Sequence, residues 1–373
     1  MRLGIVSTFP PFRGGISTFN HRLMQALVDA GHEVHVVNWS RQYPQLFFPG
    51  KTQWASTTNS KGPEYPALLD SINPLTWKRT AKHLQDLEPL DAVVFPFWHA
   101  ILAPALTGVA KRMRKNHPGA PKLIGLFHNA GSHDGLPMLE SLTRRLMANL
   151  DEVWTLSQEV KDQLLLQKQG LNIRVLFHPL YNHFPQLSDK ILTRENMGLP
   201  PNAQVLLFFG LVRPYKGLMR LLDVWDEFAV DEPKAHLLIA GECYGDWTPY
   251  QLAIESLNCQ DRVLVDQRFI PDDEIGKVFG AADVVVLPYE SASQSGVTAM
   301  SLHYGIPTIA SNVGGLAEYI RPGLTGELFE AQNSSSLVAA LQRAIKTEYP
   351  ETAFAAAREE FSWTRFATAS FSS

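Results

Sequence analysis

Two cations stand close together behind a glycine. In the stretch FFGLVRPYKGLMRLL, residues 208–222, an apolar run ends at Gly210. Arg213 and Lys216 follow before Gly217 opens a helix-like segment. Cations at a helix N-terminus work against the helix dipole unless an anion sits there too. A guanidinium offers a planar fork and an ammonium a point charge, so this spacing suits convergence on a phosphate or diphosphate. The plainer reading is two surface cations, one of them beside a helix start.

A second anion cradle follows the apolar run at 283–288. In LPYESASQSGVTAMSLHYGIP, Ser293, Ser295 and the amides around Gly296 and Val297 fall where a strand gives way to a helix N-terminus. A serine that simply caps the helix is the alternative. SNVGGLAEYI at 311–320 repeats the strand–Gly–Gly–helix arrangement. Gly14 and Gly15, in STFPPFRGGISTF, stand between the first strand and the first helix, where backbone can approach a ligand closely. This loop is not GxGxxG, which gives a dinucleotide site no support, and a tight turn alone would also use glycine. His128 lies at a strand end, in LFHNAGSHDG. His128, His133 and Asp134 follow no zinc-ligand spacing, so no metal is expected.

The elements that must position these loops alternate between strand-like and helix-like throughout. That rhythm predicts a parallel sheet with helices on both faces, twice over: an α/β protein of two Rossmann-like domains. RLGIVST, EVHVVNW, DAVVFPFW, KLIGLFHN, EVWTLS and IRVLFHP are the strands of the first half, with helices expected at about 16–30 and 138–149. QVLLFFG, AHLLIAG, RVLVDQRF, DVVVLPY, PTIAS and GELFE are those of the second, with helices at 217–230, 249–258, 272–281, 296–304 and 333–347. Residues 178–203, rich in Pro, Asn and polar residues, read as the connection. The expected division is 1–185, 186–350, and terminal helices at 351–373 crossing back towards the first domain. Ligands of such sheets bind beyond the carboxyl ends of the strands, which puts the site in a cleft between the domains.

A chain of 373 residues is comfortable for two domains. Two cysteines, Cys243 and Cys259, make no disulfide framework and fit a cytoplasmic protein. The chain enters its first strand-like run with no signal-peptide pattern, and no apolar run approaches a membrane span. The net charge of −4 divides unevenly, +6 over residues 1–190 and −10 over 191–373. The basic half would suit a lipid surface or a phosphorylated acceptor. Nucleic acid is not expected, because the cations are not interleaved with stacking aromatics.

Taken in order, FPPFRGGIS, GHEVHVV, the HN at His128, FFGLVRPYKG, LLIAGE, AADVVVLPY, SQSGV, YGIPTIASNVGGLAEYI and GLTGELF give the chain a resemblance to the GT-B glycosyltransferases. Within these it is similar to the retaining family 4, over nearly the whole length. The resemblance implies transfer of a hexosyl group, with retention, from a nucleoside-diphosphate sugar to a glycan or polyprenyl-diphosphate-linked acceptor. The cell would use it in surface polysaccharide or glycoconjugate synthesis, in the cytoplasm or at the inner face of the membrane. Peripheral membrane contact would be made through the N-terminal domain. Arg213 and Lys216 would hold the diphosphate, and His128 would face the donor sugar or acceptor. Gly14 and Gly15 would approach the diphosphate, and Arg268, Phe269 and Ile270 would lie against the base. Ser293, Gln294, Ser295, Gly296 and Val297 would complete the donor site.

One departure concerns the family's paired glutamates. Their places hold Ser293 and Met300, neither of them acidic. Glu290 is the nearest substitute for the first, and Glu318 a further candidate for ribose or sugar. No cofactor beyond the sugar nucleotide is implied. The competing readings are a nucleotide-sugar-binding scaffold without activity, which the missing glutamates favour, and a sugar-nucleotide epimerase of the same architecture.

Overall fold

The computed structural model describes residues 1–12, 14–43, 65–87, 89–114, 119–130 and 137–372, except for the side chains of Pro137 and Met138. It divides into two units: residues 1–178 with 363–373, and residues 179–362.

The described residues of the first unit hold seven strands: β1 (Arg2–Ser7), β2 (Glu33–Arg41), β3 (Ala67–Asp70), β4 (Ala92–Phe97), β5 (Lys122–Phe127), β6 (Glu152–Thr155) and β7 (Ile173–Val175). They form one sheet in the order β3-β2-β1-β4-β5-β6-β7, with every pairing parallel. The interior strands read as near-continuous apolar runs because helices cover both faces. β4, AVVFPF, is buried at every position. The sequence did not mark β3, a four-residue strand too short for its periodicity to register. Trp363, Phe366 and Ala367, from the last helix, Trp363–Phe371, pack with Phe19, Leu23, Leu27 and Trp154. Arg174 fixes the end of that helix by donating to the carbonyls of Ala369 and Ser372 at 3.0 and 2.7 Å. Each buried aromatic of this kind contributes roughly 1.5–3 kcal/mol.

The second unit holds β8 (Gln204–Phe209), β9 (Ala235–Ala240), β10 (Val263–Asp266), β11 (Val284–Leu287), β12 (Thr308–Ser311) and β13 (Gly326–Phe329), ordered β10-β9-β8-β11-β12-β13 and all parallel. The helix expected over 217–230 is two, Leu218–Asp223 and Trp225–Asp231, broken at Val224. Leu218, Leu221, Leu222, Trp225, Phe228 and Ala229 are buried across the break. The apolar pattern therefore stays in helical phase and gave no sign of it. The helix Glu351–Glu360 belongs to this unit, whereas Trp363–Phe371 belongs to the first.

A buried arginine ties the connecting segment to the sheet. Arg194 donates to the carbonyls of Ala281 and Pro201, and from Nη2 to Asp283 at 2.5 Å. Asp283 also accepts from the Val205 backbone at 2.7 Å and from Lys190 at 3.0 Å, so one carboxylate anchors the starts of β8 and β11.

Candidate functional site

The strand order of the second unit reverses at β8. From there the chain runs outward through β9 and β10, and afterwards through β11 to β13 on the other side. Loops leaving β8 and β11 therefore diverge, and in doubly wound sheets this is where ligands are received. Both loops singled out in the sequence leave from this point.

The loop after β8 is shaped by two glycines. Gly210 has φ +102° and donates to the Ala240 carbonyl, and Val212 donates to the Glu242 carbonyl at 2.9 Å. Residues 214–216 make one tight turn, and Gly217 leaves it with φ +70°. This turn folds Lys216 back over the strand end. Its Nζ lies 3.4 Å, and Val297 Cγ2 3.7 Å, from the point where a β-carbon on Gly210 would stand. Lys216, Gly210 and the first turn of helix Gly296–Tyr304 thus surround one place.

That helix starts without a cap. Ser295 has extended backbone, but its hydroxyl makes no capping bond, and the first turn carries no acidic residue. Its leading N–H groups have no intrahelical acceptors, and an anion there is favoured by the dipole. Gly296 is required by packing: a β-carbon there would stand 3.0 Å from the Tyr181 ring.

Arg213 extends differently. Its guanidinium carbon lies 5.2 Å from the centroid of Tyr244, in the loop after β9. Among the described residues neither Arg213 nor Lys216 pairs with a carboxylate. Glu290 is held by its backbone N–H, which donates to the Tyr215 carbonyl at 2.7 Å. Its carboxylate accepts from Arg220 Nη2 at 3.5 Å. The 288–295 loop is joined to the Gly-Gly turn by the Gly315 N–H, which donates to the Ala292 carbonyl at 3.1 Å. Ser293 and Gln294 are half-buried, Glu318 is exposed, and Met300 is buried.

The segment expected against the base divides in three. Ile270 is buried and Phe269 is exposed. Arg268 is clamped by its own loop, donating to Asp266 at 2.9 Å and with both terminal nitrogens to Glu274. The Glu274 carboxylate, with Asp266, raises its already high pKa.

In the first unit, Gly14 and Gly15 are exposed at the N-terminus of helix Gly15–Asp29, with Gly14 at φ +115° and no capping bond. Asn20 secures the preceding loop by donating to Ser7 Oγ at 2.8 Å and to the Thr8 carbonyl at 3.0 Å. His128 is 2% exposed. Its ring meets Phe19 edge-on at 4.7 Å. Burial, and after it His178, lowers its pKa to about 3, which keeps the imidazole neutral. His133 and Asp134 lie outside the described residues, as does Arg13.

Residues 189–360 match the family profile described as Glycosyl transferases group 1, and residues 13–179 match Glycosyltransferase Family 4. The chain belongs to the family 4-like GT-B glycosyltransferases. An N-acetyl-alpha-D-glucosaminyl L-malate synthase of Bacillus anthracis is 24% identical over 93% of this chain and 89% of its own length. A D-inositol 3-phosphate glycosyltransferase of Rhodococcus opacus is 30% identical, over 47% of this chain and 41% of that one. Among solved structures, Anabaena HepE in complex with UDP-glucose superposes with a TM-score of 0.70, at 15% identity, over 98% of this chain and 97% of that one. At that identity the likeness shows the fold alone.

Three residues beside the candidate site are not singled out by the sequence: Tyr289, Arg220 and Tyr244. Tyr289 ends the strand-like run DVVVLPY and Arg220 falls inside the helix-like run 217–230. No helical spacing links Arg220 to Lys216, because Gly217 at φ +70° separates Lys216 from helix Leu218–Asp223.

Proposed function

We propose that this glycosyltransferase moves a hexosyl group, with retention, from a nucleoside-diphosphate sugar to a glycan or lipid-linked acceptor. One observation carries the reading: Lys216, Gly210 and the uncapped start of helix 296–304 meet at the point where the sheet order reverses. A cation without a counterion among the described residues, beside unused amides, suits a diphosphate. The UDP-glucose held by Anabaena HepE supports a nucleotide-sugar donor.

In the transfer, negative charge grows on the leaving β-phosphate. The Lys216 ammonium and the Gly296 and Val297 amides stabilise it without reorganising. Arg213 adds charge from the side of Tyr244. The leaving phosphate takes part in deprotonating the acceptor. His128, kept neutral by burial, orients rather than carries a proton. Ser293 stands where the family places its first glutamate, so sugar hydroxyls meet a neutral partner there, with the Glu290 carboxylate nearby and shared with Arg220.

Exposed Lys111, Arg144 and Arg145, on helices Ala103–Arg114 and Pro137–Met147, support contact with an anionic membrane face. Residues 115–118, within the basic stretch AKRMRKNHPGAPK at 110–122, lie outside the described residues. No helix among the described residues is long and apolar enough to cross a membrane. The names of the Bacillus and Rhodococcus relatives favour a second reading of the acceptor, a small polar molecule such as a hydroxy acid or a phosphorylated polyol.

The test is incubation with UDP, GDP, ADP and dTDP sugars, scoring nucleoside-diphosphate release with each acceptor class and the anomeric configuration of any product. Release with one donor and a retained anomer is expected. No release with any donor, or an inverted product, would overturn the proposal.

A further inference from the structure

Lys216 is partly buried yet has no carboxylate partner among the described residues. Its Nζ stands 5.3 Å from the ring centroid of Tyr289. That ring is 3% exposed and firmly held. The Tyr289 carbonyl accepts from Ser311 Oγ at 2.5 Å. The next residue, Glu290, is bonded through its N–H to the Tyr215 carbonyl, and the Tyr215 ring meets Tyr289 edge-on at 6.3 Å. The phenolic hydroxyl is buried and makes no hydrogen bond among the described residues. Leaving such a group unsatisfied is unfavourable, so the hydroxyl does not account for a tyrosine at this place. The face of the ring does.

We propose that Tyr289 is a positioning residue for Lys216, holding the ammonium over Gly210 without neutralising it. This rests on the reading that the site takes a nucleoside diphosphate. A carboxylate partner would hold Lys216 more strongly, but it would compete with the diphosphate and would face it as a buried like charge once the donor bound. An aromatic face attracts a cation through its quadrupole and carries no net charge. The lysine is therefore oriented before the donor arrives, and its whole charge remains available. The same arrangement keeps Arg213 over Tyr244, so both cations read as meeting the diphosphate lie over rings.

The experiment compares wild type with Tyr289→Phe and Tyr289→Leu. Each is titrated with the nucleoside diphosphate that wild type binds and with its parent nucleoside, and the unfolding temperature of each is recorded. Phe keeps the ring and removes the idle hydroxyl, so it should bind the diphosphate within about twofold of wild type. Leu should bind it about tenfold more weakly, with nucleoside affinity unchanged. If Leu does not fold, Tyr289→Met serves for the same comparison. The proposal is overturned if Phe weakens binding as much as Leu, if Leu binds the diphosphate as wild type does, or if nucleoside and diphosphate weaken equally. Failure of wild type itself to bind any nucleoside diphosphate would instead remove the reading of the site on which the proposal stands.

Discussion

A β-carbon added to Gly217 would stand 1.9 Å from the carbonyl oxygen of Pro288. The turn that folds Lys216 back is thus pressed directly against the loop that leads into helix 296–304. The two loops at the reversal point are set by this backbone contact together with the bond from the Glu290 N–H to the Tyr215 carbonyl, and Gly217 also takes φ +70° to make the contact. Gly323 has nearly the same φ, +72°, with nothing within 4 Å of its β-carbon position. Gly323→Ala should therefore cost only the conformational term, about 1 kcal/mol, whereas Gly217→Ala must also move backbone and should cost about 3 kcal/mol or more. Denaturant unfolding of the two variants checks this, and equal losses would contradict it.

Lys216 and Arg213 should not be equivalent. Lys216 sits beside Gly210 and Val297, while Arg213 reaches its place from Tyr244. Lys216→Met should lower kcat by about 10²–10³, or roughly 3–4 kcal/mol, the loss typical of a preorganised charge stabiliser. Arg213→Met should cost about tenfold, on the scale of a stacked cation. Steady-state kinetics on both variants decide the order, and a larger loss for Arg213 would contradict it.

His128 makes acid destabilising. Its folded pKa, about 3, lies below the ordinary 6.5. The unfolded chain therefore takes up a proton that the native state refuses. The contribution is complete above pH 6.5 and is lost as pH falls from 6.5 towards 3, with a slope of at most about 1.4 kcal/mol per pH unit. His128→Gln lacks that titration, so the stability gap between wild type and variant should narrow between pH 7 and pH 4. Thermal unfolding across that range measures it, and a constant gap would contradict it.

Asp283→Asn should destabilise the second unit by about 2 kcal/mol, because it leaves the Arg194 guanidinium, only 5% exposed, without its counterion. Asp283 is itself 32% exposed, which moderates the loss. Arg194→Met with Asp283→Asn should recover part of it, since removing both partners of a buried pair costs less than removing one. A double-mutant cycle by urea unfolding gives the coupling, and simple additivity would contradict the assignment.

The strands carrying the site were legible because β8 and β11 are apolar at almost every position, β8 being followed at once by Gly210 and β11 by Pro288 and then the serine-rich run 291–295. The helix at 296–304 was legible for the same reason, with Gly305 ending it at φ +72°. Side-chain partnerships were not. Arg268 looked like a ligand cation, but Asp266 and Glu274 bracket it within one loop, and nothing in residue spacing says which way a loop will curl. Tyr289 looked like core, which it is. That its face also meets Lys216 depends on the Gly217 turn, which becomes visible only when β8 and β11 are neighbours. The change of unit at 178–179, rather than at 185–186, follows from Pro185 and Gln186 packing their carbonyls against Gly276, close enough that a β-carbon there would stand 2.8 and 2.3 Å from them.

The most direct measurement is a crystal structure with a bound nucleoside diphosphate. The expected result is diphosphate oxygens within hydrogen-bond reach, about 2.7–3.2 Å, of Lys216 Nζ and of the Gly296 and Val297 amides. A diphosphate seated elsewhere, with Lys216 still lying over Tyr289 and touching no phosphate, would contradict it.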